Sequence, residues 1–173
     1  MRHRRLVPVV LLVALAACGG GGDGSARVIG TAPAPEVGLT RSGGCGEAHL
    51  WAATEEGTTA VTVGVDVPRY STREPVVVEV DLADGTVEAA LLRGDGDLTT
   101  AFCTDVVEGD AEPDETVPLV AGTGELVIGT IPTDVPACGH VTGTLDLEGV
   151  EAEDGTVLGA VHAETDAIGC FAG

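Results

Sequence analysis

Lysine is absent from this chain of 173 residues, and arginine is scarce. Eight arginines stand against 28 aspartates and glutamates, which gives a formal net charge of −20. A chain of this charge repels phosphate groups, so the composition argues against binding to nucleic acid or to an anionic lipid surface. Cationic partners, including metal ions, are compatible with the charge.

Several patterns that support catalysis or metal binding are also missing. The only methionine is Met1, and no blue-copper spacing of cysteine and histidine occurs, which argues against copper carriage. The chain has no CxxC pair, and Cys138-Gly139-His140 is poor spacing for zinc. Of the three serines only Ser71 lies beyond residue 44, and it has no GxSxG surround. We therefore predict no catalytic residue, no metal site and no cofactor.

Calcium is the metal that the acidic residues come nearest to fitting. Asp95-Gly96-Asp97 and the acidic residues of segment 108–115 carry the hard oxygen ligands that calcium prefers. The full EF-hand pattern is not met, because Leu98-Thr99-Thr100 follows the first motif. We expect a solvated turn and an exposed acidic loop at these two places.

The first 18 residues follow the order of an export signal. Residues 1–5 are basic, residues 6–17 are apolar, and the segment ends in Leu15-Ala16-Ala17-Cys18. Twelve residues are too few to cross a bilayer as a helix, which takes roughly 20. The ending resembles the lipobox of bacterial lipoproteins. This resemblance implies cleavage between Ala17 and Cys18 and a diacylglyceryl group on Cys18.

The lipobox implies an address for the protein. Residues 1–17 are the expected signal peptide, and acyl chains on Cys18 would hold the mature chain on the extracytoplasmic side of the cell membrane. Gly19, where an Asp would favour retention at the inner membrane, permits transfer to an outer membrane if the cell has one. The mature chain keeps five arginines and 28 acidic residues, a net charge of −23. In composition it resembles small lipoproteins of high-GC bacteria, a likeness that implies no activity.

Composition changes again near residue 45. Residues 18–44 begin with four glycines after Cys18 and contain Thr31-Ala32-Pro33-Ala34-Pro35, which predicts a lipid-anchored tether. Residues 45–173 are long enough for one domain with one core.

Four cysteines remain once Cys18 is assigned to lipid. They are Cys45, Cys103, Cys138 and Cys170. An even number in an exported chain predicts two disulfides, and three connectivities are open. We favour Cys45–Cys103 together with Cys138–Cys170.

Alternation of apolar and polar residues predicts an all-β domain. It is clearest in segments 60–67, 76–82 and 141–148, and no stretch keeps a helical period. Turns that contain Gly57, Gly85 and Gly155 predict three hairpins, which pair 48–54 with 58–67, 76–82 with 86–92, and 141–150 with 157–165. We expect about eight strands in an antiparallel, immunoglobulin-like two-sheet sandwich, with a closed barrel as the alternative. Segment 99–107 is a weaker strand candidate, and 108–118 is an expected loop.

Aromatic residues are few, and roles can be predicted for two of them, Trp51 and Tyr70. Trp51 is expected to fill the core and to pack on a disulfide, because few other bulky side chains are present. Tyr70 lies between Arg69 and Arg73 in an expected loop, so these three residues form the predicted contact with a partner.

The function that these features favour is a non-enzymatic binding or interaction domain at the cell surface, with an envelope protein as its candidate partner. The alternative is a hydrolytic or metal-dependent envelope enzyme that uses calcium or zinc. That alternative requires His49, His140 or His162 to lie beside Ser71 or beside several carboxylates. The oligomeric state is left open.

Overall fold

The computed structural model describes residues 37–46, 48–67, 71, 73–104, 111–131 and 141–169. These residues form eight β-strands and two 3₁₀ helices of three residues each, Leu82–Asp84 and Leu98–Thr100. The strands are β1 (Arg41–Cys45), β2 (His49–Ala53), β3 (Thr59–Gly64), β4 (Val76–Asp81), β5 (Glu88–Arg93), β6 (Glu115–Ile128), β7 (Val141–Ala152) and β8 (Val157–Ile168). The prediction of an all-β domain with about eight strands is confirmed. No helix among the described residues has both the length and the apolar character needed to cross a bilayer.

The strands form one antiparallel sheet that is nearly barrel-shaped, in the order β1-β2-β3-β5-β6-β7-β8 with β4 also paired to β6. Strand β6 pairs with three other strands, β4, β5 and β7. Its residues 115–118 pair with β5, residues 123–128 pair with β4, and residues 119–128 pair with β7. Gly122, with φ of 137°, lies where the register against β7 shifts. An immunoglobulin-like division into two sheets is not confirmed, because β6 pairs with β4, β5 and β7 and so connects all the strands into one sheet.

Strands β1 and β8, which stand at the two ends of the strand order, are joined by hydrogen bonds of their side chains. The Ser42 hydroxyl accepts a hydrogen bond from the Glu164 amide (3.1 Å), and the Thr165 hydroxyl donates to the Gly44 carbonyl (3.1 Å). The predicted tether ran to residue 44, but residues 41–44 belong to β1 and pair with β2. Val37 and Leu39 pack against the core as well. The prediction missed β1 because it carries no apolar alternation and is held only by its neighbours.

Two of the three predicted hairpins are confirmed, namely β2 with β3 and β7 with β8. The predicted hairpin at Gly85 is wrong, because β4 pairs with β6 while β5 pairs with β3 and β6. The Asp81 carboxylate accepts a hydrogen bond from the Ala83 amide (2.9 Å) and caps a 3₁₀ helix, after which Gly85 takes a φ of 72°. This corner redirects the chain to another part of the sheet instead of folding it back.

Alternating residues of the strands fill the interior. The largest fully buried side chains are all Leu, Ile or Val, and the described residues include no buried polar or charged side chain. Leu50, Val61, Val63 and Leu91 point inward from β2, β3 and β5, so the residues between them lie on the outer face. The core is therefore built from aliphatic side chains.

A second, smaller apolar cluster lies on that outer face. Residues 94–103, here called the strap, include the second 3₁₀ helix and place fully buried Leu98 against Ala53, Ala60 and Leu92. Segment 99–107 was predicted as a strand, but its residues 99–103 lie in the helix and the turn after it. The predicted loop 108–118 also ends early, because β6 begins at Glu115.

Trp51 belongs to this outer cluster. Its ring centroid is 5.5 Å from that of Phe102 in the strap. The prediction that Trp51 fills the main core is wrong, because Leu50 and Ala52 take the inward positions of β2. Trp51 is nevertheless close to a disulfide, since Phe102 precedes Cys103, which is bonded to Cys45.

Candidate functional site

A row of three residues crosses the outer face of β2, β3 and β5. His49 lies opposite Gly64, and Gly64 lies opposite Glu88. A Cβ atom added to Gly64 would lie 4.0 Å from His49 Nδ1 and 3.8 Å from Glu88 Cβ. The missing side chain at Gly64 therefore leaves a gap between the imidazole and the carboxylate side chain.

Two adjoining hollows, here together called the groove, open around this row. One has a volume of about 370 Å³ and is lined by Ala48, His49, Gly64, Val65, Asp66, Thr86 and Glu88. The other has a volume of about 440 Å³ and shares His49, Gly64 and Glu88 with the first. Its further lining residues are Thr62, Leu82, Gly85, Val87, Ala89, Ala90, Pro118 and Leu119. Volumes of this size suit a small molecule or one side chain of a partner.

Two parts of the fold lie on either side of this open stretch of the outer face. On one side, the strap covers the end of β2, β3 and β5 at which Ala53, Ala60 and Leu92 lie in one cross-strand row. On the other side, β4 and β5 pair with successive stretches of β6. The chain that connects β4 to β5 lies beside the groove, and its Leu82 and Gly85 line it. The groove lies between the strap and this corner.

His49 is half-buried at the centre of the groove. Neither of its ring nitrogens has a hydrogen-bond partner among the described residues. Burial disfavours the charged imidazolium, so the pKa of His49 is below its ordinary value. The preceding residue, Ala48, is buried with a φ of 88°, a conformation that alanine rarely adopts. Backbone strain of this kind clusters at functional sites.

The charged groups at the groove are all acidic. Glu88 and Asp66 are exposed, and neither forms an ion pair within the described residues. Arg41 and Arg93 lie elsewhere, with Arg41 bound to Asp97 (3.0 Å) and Arg93 bound to acidic residues near β6 and the β7–β8 turn. The groove thus offers carboxylates, a neutral imidazole and hydroxyl groups for hydrogen bonding.

A second polar cluster lies on the outer face of β7 and β8. His162 Nδ1 is 2.6 Å from Asp146 Oδ1, and His162 Nε2 is 3.3 Å from Glu164 Oε1. The hydrogen bond to Asp146 is the largest cause that raises the pKa of His162, and the nearby Glu164 charge adds to it. All three side chains are more than half exposed, so this is an open surface cluster.

The remaining predicted site residues have varied outcomes. A disulfide joins Cys45 to Cys103, with a Cα–Cα distance of 5.7 Å, which matches one of the two favoured pairs. Arg73 is exposed in the loop before β4. Several other predicted positions lie outside the described residues, namely Cys18, Arg69, Tyr70, Cys138, His140 and Cys170.

The Ser71 hydroxyl forms hydrogen bonds within its own loop and not with either of the two described histidines. The Ser71 hydroxyl accepts hydrogen bonds from the backbone amides of Arg73 (3.2 Å) and Glu74 (3.3 Å). No hydrogen bond joins it to His49 or His162 among the described residues. His162, however, does lie beside two carboxylates, which is one condition that the enzyme alternative set.

Of the acidic residues considered for calcium, Asp97, Asp114 and Glu115 are engaged within the protein, whereas Glu108 and Asp110 lie outside the described residues. The Asp97 carboxylate accepts hydrogen bonds from Arg41 (3.0 Å) and from the Thr99 hydroxyl (2.6 Å). These bonds hold the pKa of Asp97 below its ordinary value, and the Thr99 hydroxyl is the largest cause. The Asp114 carboxylate accepts from the Asp95 amide (3.1 Å). Within the described ranges, no group of three or more His, Cys, Asp or Glu side chains is placed to hold a metal ion.

The groove was not predicted from the sequence, although one signal for it was present. Gly64 interrupts the row of larger residues in β3 at an outward position, and such a glycine can mark close approach or open space. The sequence could not show that His49 and Glu88 flank it, because that requires the strand register.

Comparisons of the chain with known protein families, with curated proteins and with solved structures give no match.

Proposed function

We propose that this protein is a lipoprotein, anchored through Cys18 on the extracytoplasmic side of the membrane, whose domain binds a ligand in the groove at His49. The anchor rests on the lipobox resemblance of Leu15-Ala16-Ala17-Cys18. The binding role rests chiefly on one observation, the opening over Gly64 between His49 and Glu88. The envelope-protein contact at Arg69, Tyr70 and Arg73 is a separate proposal for the same domain.

The groove supports binding because three of its polar side chains, His49, Asp66 and Glu88, form no hydrogen bond or ion pair within the described residues. Buried polar groups are usually hydrogen-bonded, since leaving them unpaired costs free energy, and His49 is half-buried. His49 has no such bond among the described residues, and the strained backbone at Ala48 directly precedes it. A ligand that bonds to the imidazole would recover part of that cost.

The groove can be tested by filling it. Gly64 has no positive φ, and an added Cβ meets only ordinary contacts, so a side chain can start from this position and Gly64→Val is expected to fill the groove. We expect some members of a small-molecule fragment set to shift the amide resonances of His49, Gly64 and Glu88 in the wild-type protein. The shifts should vanish in Gly64→Val.

Gly38→Val is the matched control, because a Cβ added to Gly38 meets nothing within 4 Å. This variant should bind the same fragments as the wild type. If no fragment shifts the groove residues, or if Gly64→Val binds as the wild type does, the groove is not a ligand site.

The anchor has its own test. Expressed in a bacterial host with lipoprotein processing, the full chain should yield a mature protein that begins at Cys18 and carries acyl groups in intact-mass measurement. It should partition with detergent, whereas Cys18→Ala should not be acylated. An uncleaved, unmodified Cys18 in the wild type would overturn the proposed location.

The enzyme alternative is carried by the His162–Asp146 contact of 2.6 Å. A carboxylate that orients a histidine is a common catalytic arrangement, but a nucleophile or an activated water must lie beside it. Hydrolysis of activated esters by the purified domain, and its loss in both His162→Gln and Asp146→Asn, would favour this alternative. Equal background rates in the wild type and both variants would oppose it.

A further inference from the structure

We infer that the groove at His49 takes a small organic cation, specifically a primary ammonium group carried on a short alkyl chain. The inference deepens the proposed binding function and rests on it. It follows from the charge, the hydrogen-bonding groups and the apolar surfaces that line the two hollows.

The charge of the groove disfavours an anionic ligand. Glu88 and Asp66 contribute carboxylates, and no lysine or arginine occurs among the lining residues. The chain as a whole carries a formal net charge of −20, so its field adds to the local attraction for cations. A carboxylate or phosphate ligand would meet repulsion with no cation to offset it.

The hydrogen-bonding groups suit a donor ligand. A neutral imidazole has one acceptor nitrogen, and ionised carboxylates are acceptors only. His49 and Glu88 flank the same gap over Gly64, so an ammonium group placed there can donate to both. An ammonium group has three donors and no acceptor, which matches this set.

The apolar surfaces suit an alkyl chain. The larger hollow extends from His49 and Glu88 toward Leu82, Val87 and Leu119. Burial of methylene groups there is favourable, at roughly 25 cal/mol per Å² of apolar surface removed from water. A short alkyl chain attached to the ammonium group would lie against these residues.

The test uses three six-carbon probes whose head groups differ in charge, namely hexylammonium, hexanoate and hexanol. Calorimetry and amide shifts of the wild-type protein should show binding of hexylammonium at His49, Gly64 and Glu88, and weaker or no binding of the other two. Glu88→Gln should weaken hexylammonium binding about tenfold, because a charged hydrogen bond is replaced by a neutral one.

Glu79→Gln is the matched control, since Glu79 is an exposed residue of β4 that does not line the groove. It removes the same charge and should change the affinity less than about twofold. An equal loss in Glu79→Gln and Glu88→Gln would mean that only the overall charge attracts the probe, and the inference would be wrong.

The remaining outcomes separate this inference from the proposed function. If hexanoate or hexanol binds in the groove better than hexylammonium, the ligand class is wrong while the groove is still a binding site. If none of the three probes binds and the fragment set also fails, both the ligand class and the binding function are wrong.

Discussion

The indole of Trp51 occupies the space that a side chain on Gly43 would need. The two residues are cross-strand partners in β1 and β2, and a Cβ added to Gly43 would lie 2.5 Å from Trp51 Cζ2. Real Cβ atoms essentially never approach another heavy atom so closely. Gly43 is therefore required for the position of the ring, even though the strand would tolerate other residues by backbone conformation.

Gly43→Ala should destabilise the domain by about 1–3 kcal/mol, because the indole must move and leave its contact with Phe102. Urea unfolding, followed by the fluorescence of the single tryptophan, measures the change. Gly38→Ala is the control and should be close to neutral, since its Cβ meets nothing within 4 Å. Equal stabilities of Gly43→Ala and the wild type would show that Trp51 is not held against β1.

His162 gives the domain a pH dependence with a defined sign. The pKa of His162 is raised in the folded protein, chiefly by its hydrogen bond to Asp146. The charged form is favoured by folding, so its contribution is complete below the unfolded pKa of about 6.5 and is lost as pH rises through the folded pKa. The side chains are more than half exposed, and screening limits the effect to about 1 kcal/mol or less.

We expect the stability difference between the wild type and His162→Gln to shrink as pH rises from about 6 to about 8. Urea unfolding at several pH values measures it, and a nuclear magnetic resonance titration of His162 should show a lower pKa in Asp146→Asn. A difference that grows with pH would contradict the assigned pairing.

At the scale of elements, the strap is fastened to the sheet by bonds of different kinds. Cys103 is bonded to Cys45, Asp97 is paired with Arg41, and the Leu98 amide donates to the Gly57 carbonyl (3.0 Å). A Cβ added to Gly57 would collide with the Asp97 carboxylate, so this glycine permits the close approach. These bonds keep Leu98 and Phe102 over an apolar part of the outer face.

Replacing both cysteines, in Cys45→Ser/Cys103→Ser, should destabilise the domain by about 2–4 kcal/mol. The bridge closes a loop between residues 58 positions apart, and its loss gives the unfolded chain more freedom. Calorimetry measures the change, and altered fluorescence of Trp51 should accompany it because the strap loosens. An unchanged melting temperature would mean that the other contacts of the strap suffice.

At the scale of the whole molecule, the excess of acid is partly organised by the sheet. Glu79, Glu125 and Asp146 lie directly opposite one another on β4, β6 and β7, with His162 next in the row on β8. Like charges directly opposite each other destabilise a sheet. Only the Asp146 end of the row has a basic partner among the described residues, His162, which is positive when protonated.

The domain should therefore be more stable at high ionic strength. Raising sodium chloride from about 10 mM to 500 mM should increase the melting temperature by a few degrees, because salt screens the repulsion. Glu125→Gln should raise stability by about 0.2–1 kcal/mol at low salt, and less at high salt. Glu112→Gln, which alters an exposed acid outside the row, is the control, and an equal gain there would assign the effect to net charge alone.

The sequence by itself determined the features that depend on local alternation and on single residues. The patterns around β3, β7 and β8 predicted strands, and the turns at Gly57 and Gly155 predicted hairpins that are confirmed. These predictions succeeded because both partners lie close together in the chain, so the turn chemistry fixes the pairing.

The tertiary structure alone decided what depends on distant partners. Strand β4 pairs with β6 instead of β5, β1 is held by β2 and β8, and the strap covers Trp51. His49 and Glu88 come together only because β3 lies between their strands and carries a glycine at the shared position. Pairing between distant strands is set by the summed burial of many side chains and by register, which no short stretch of sequence contains.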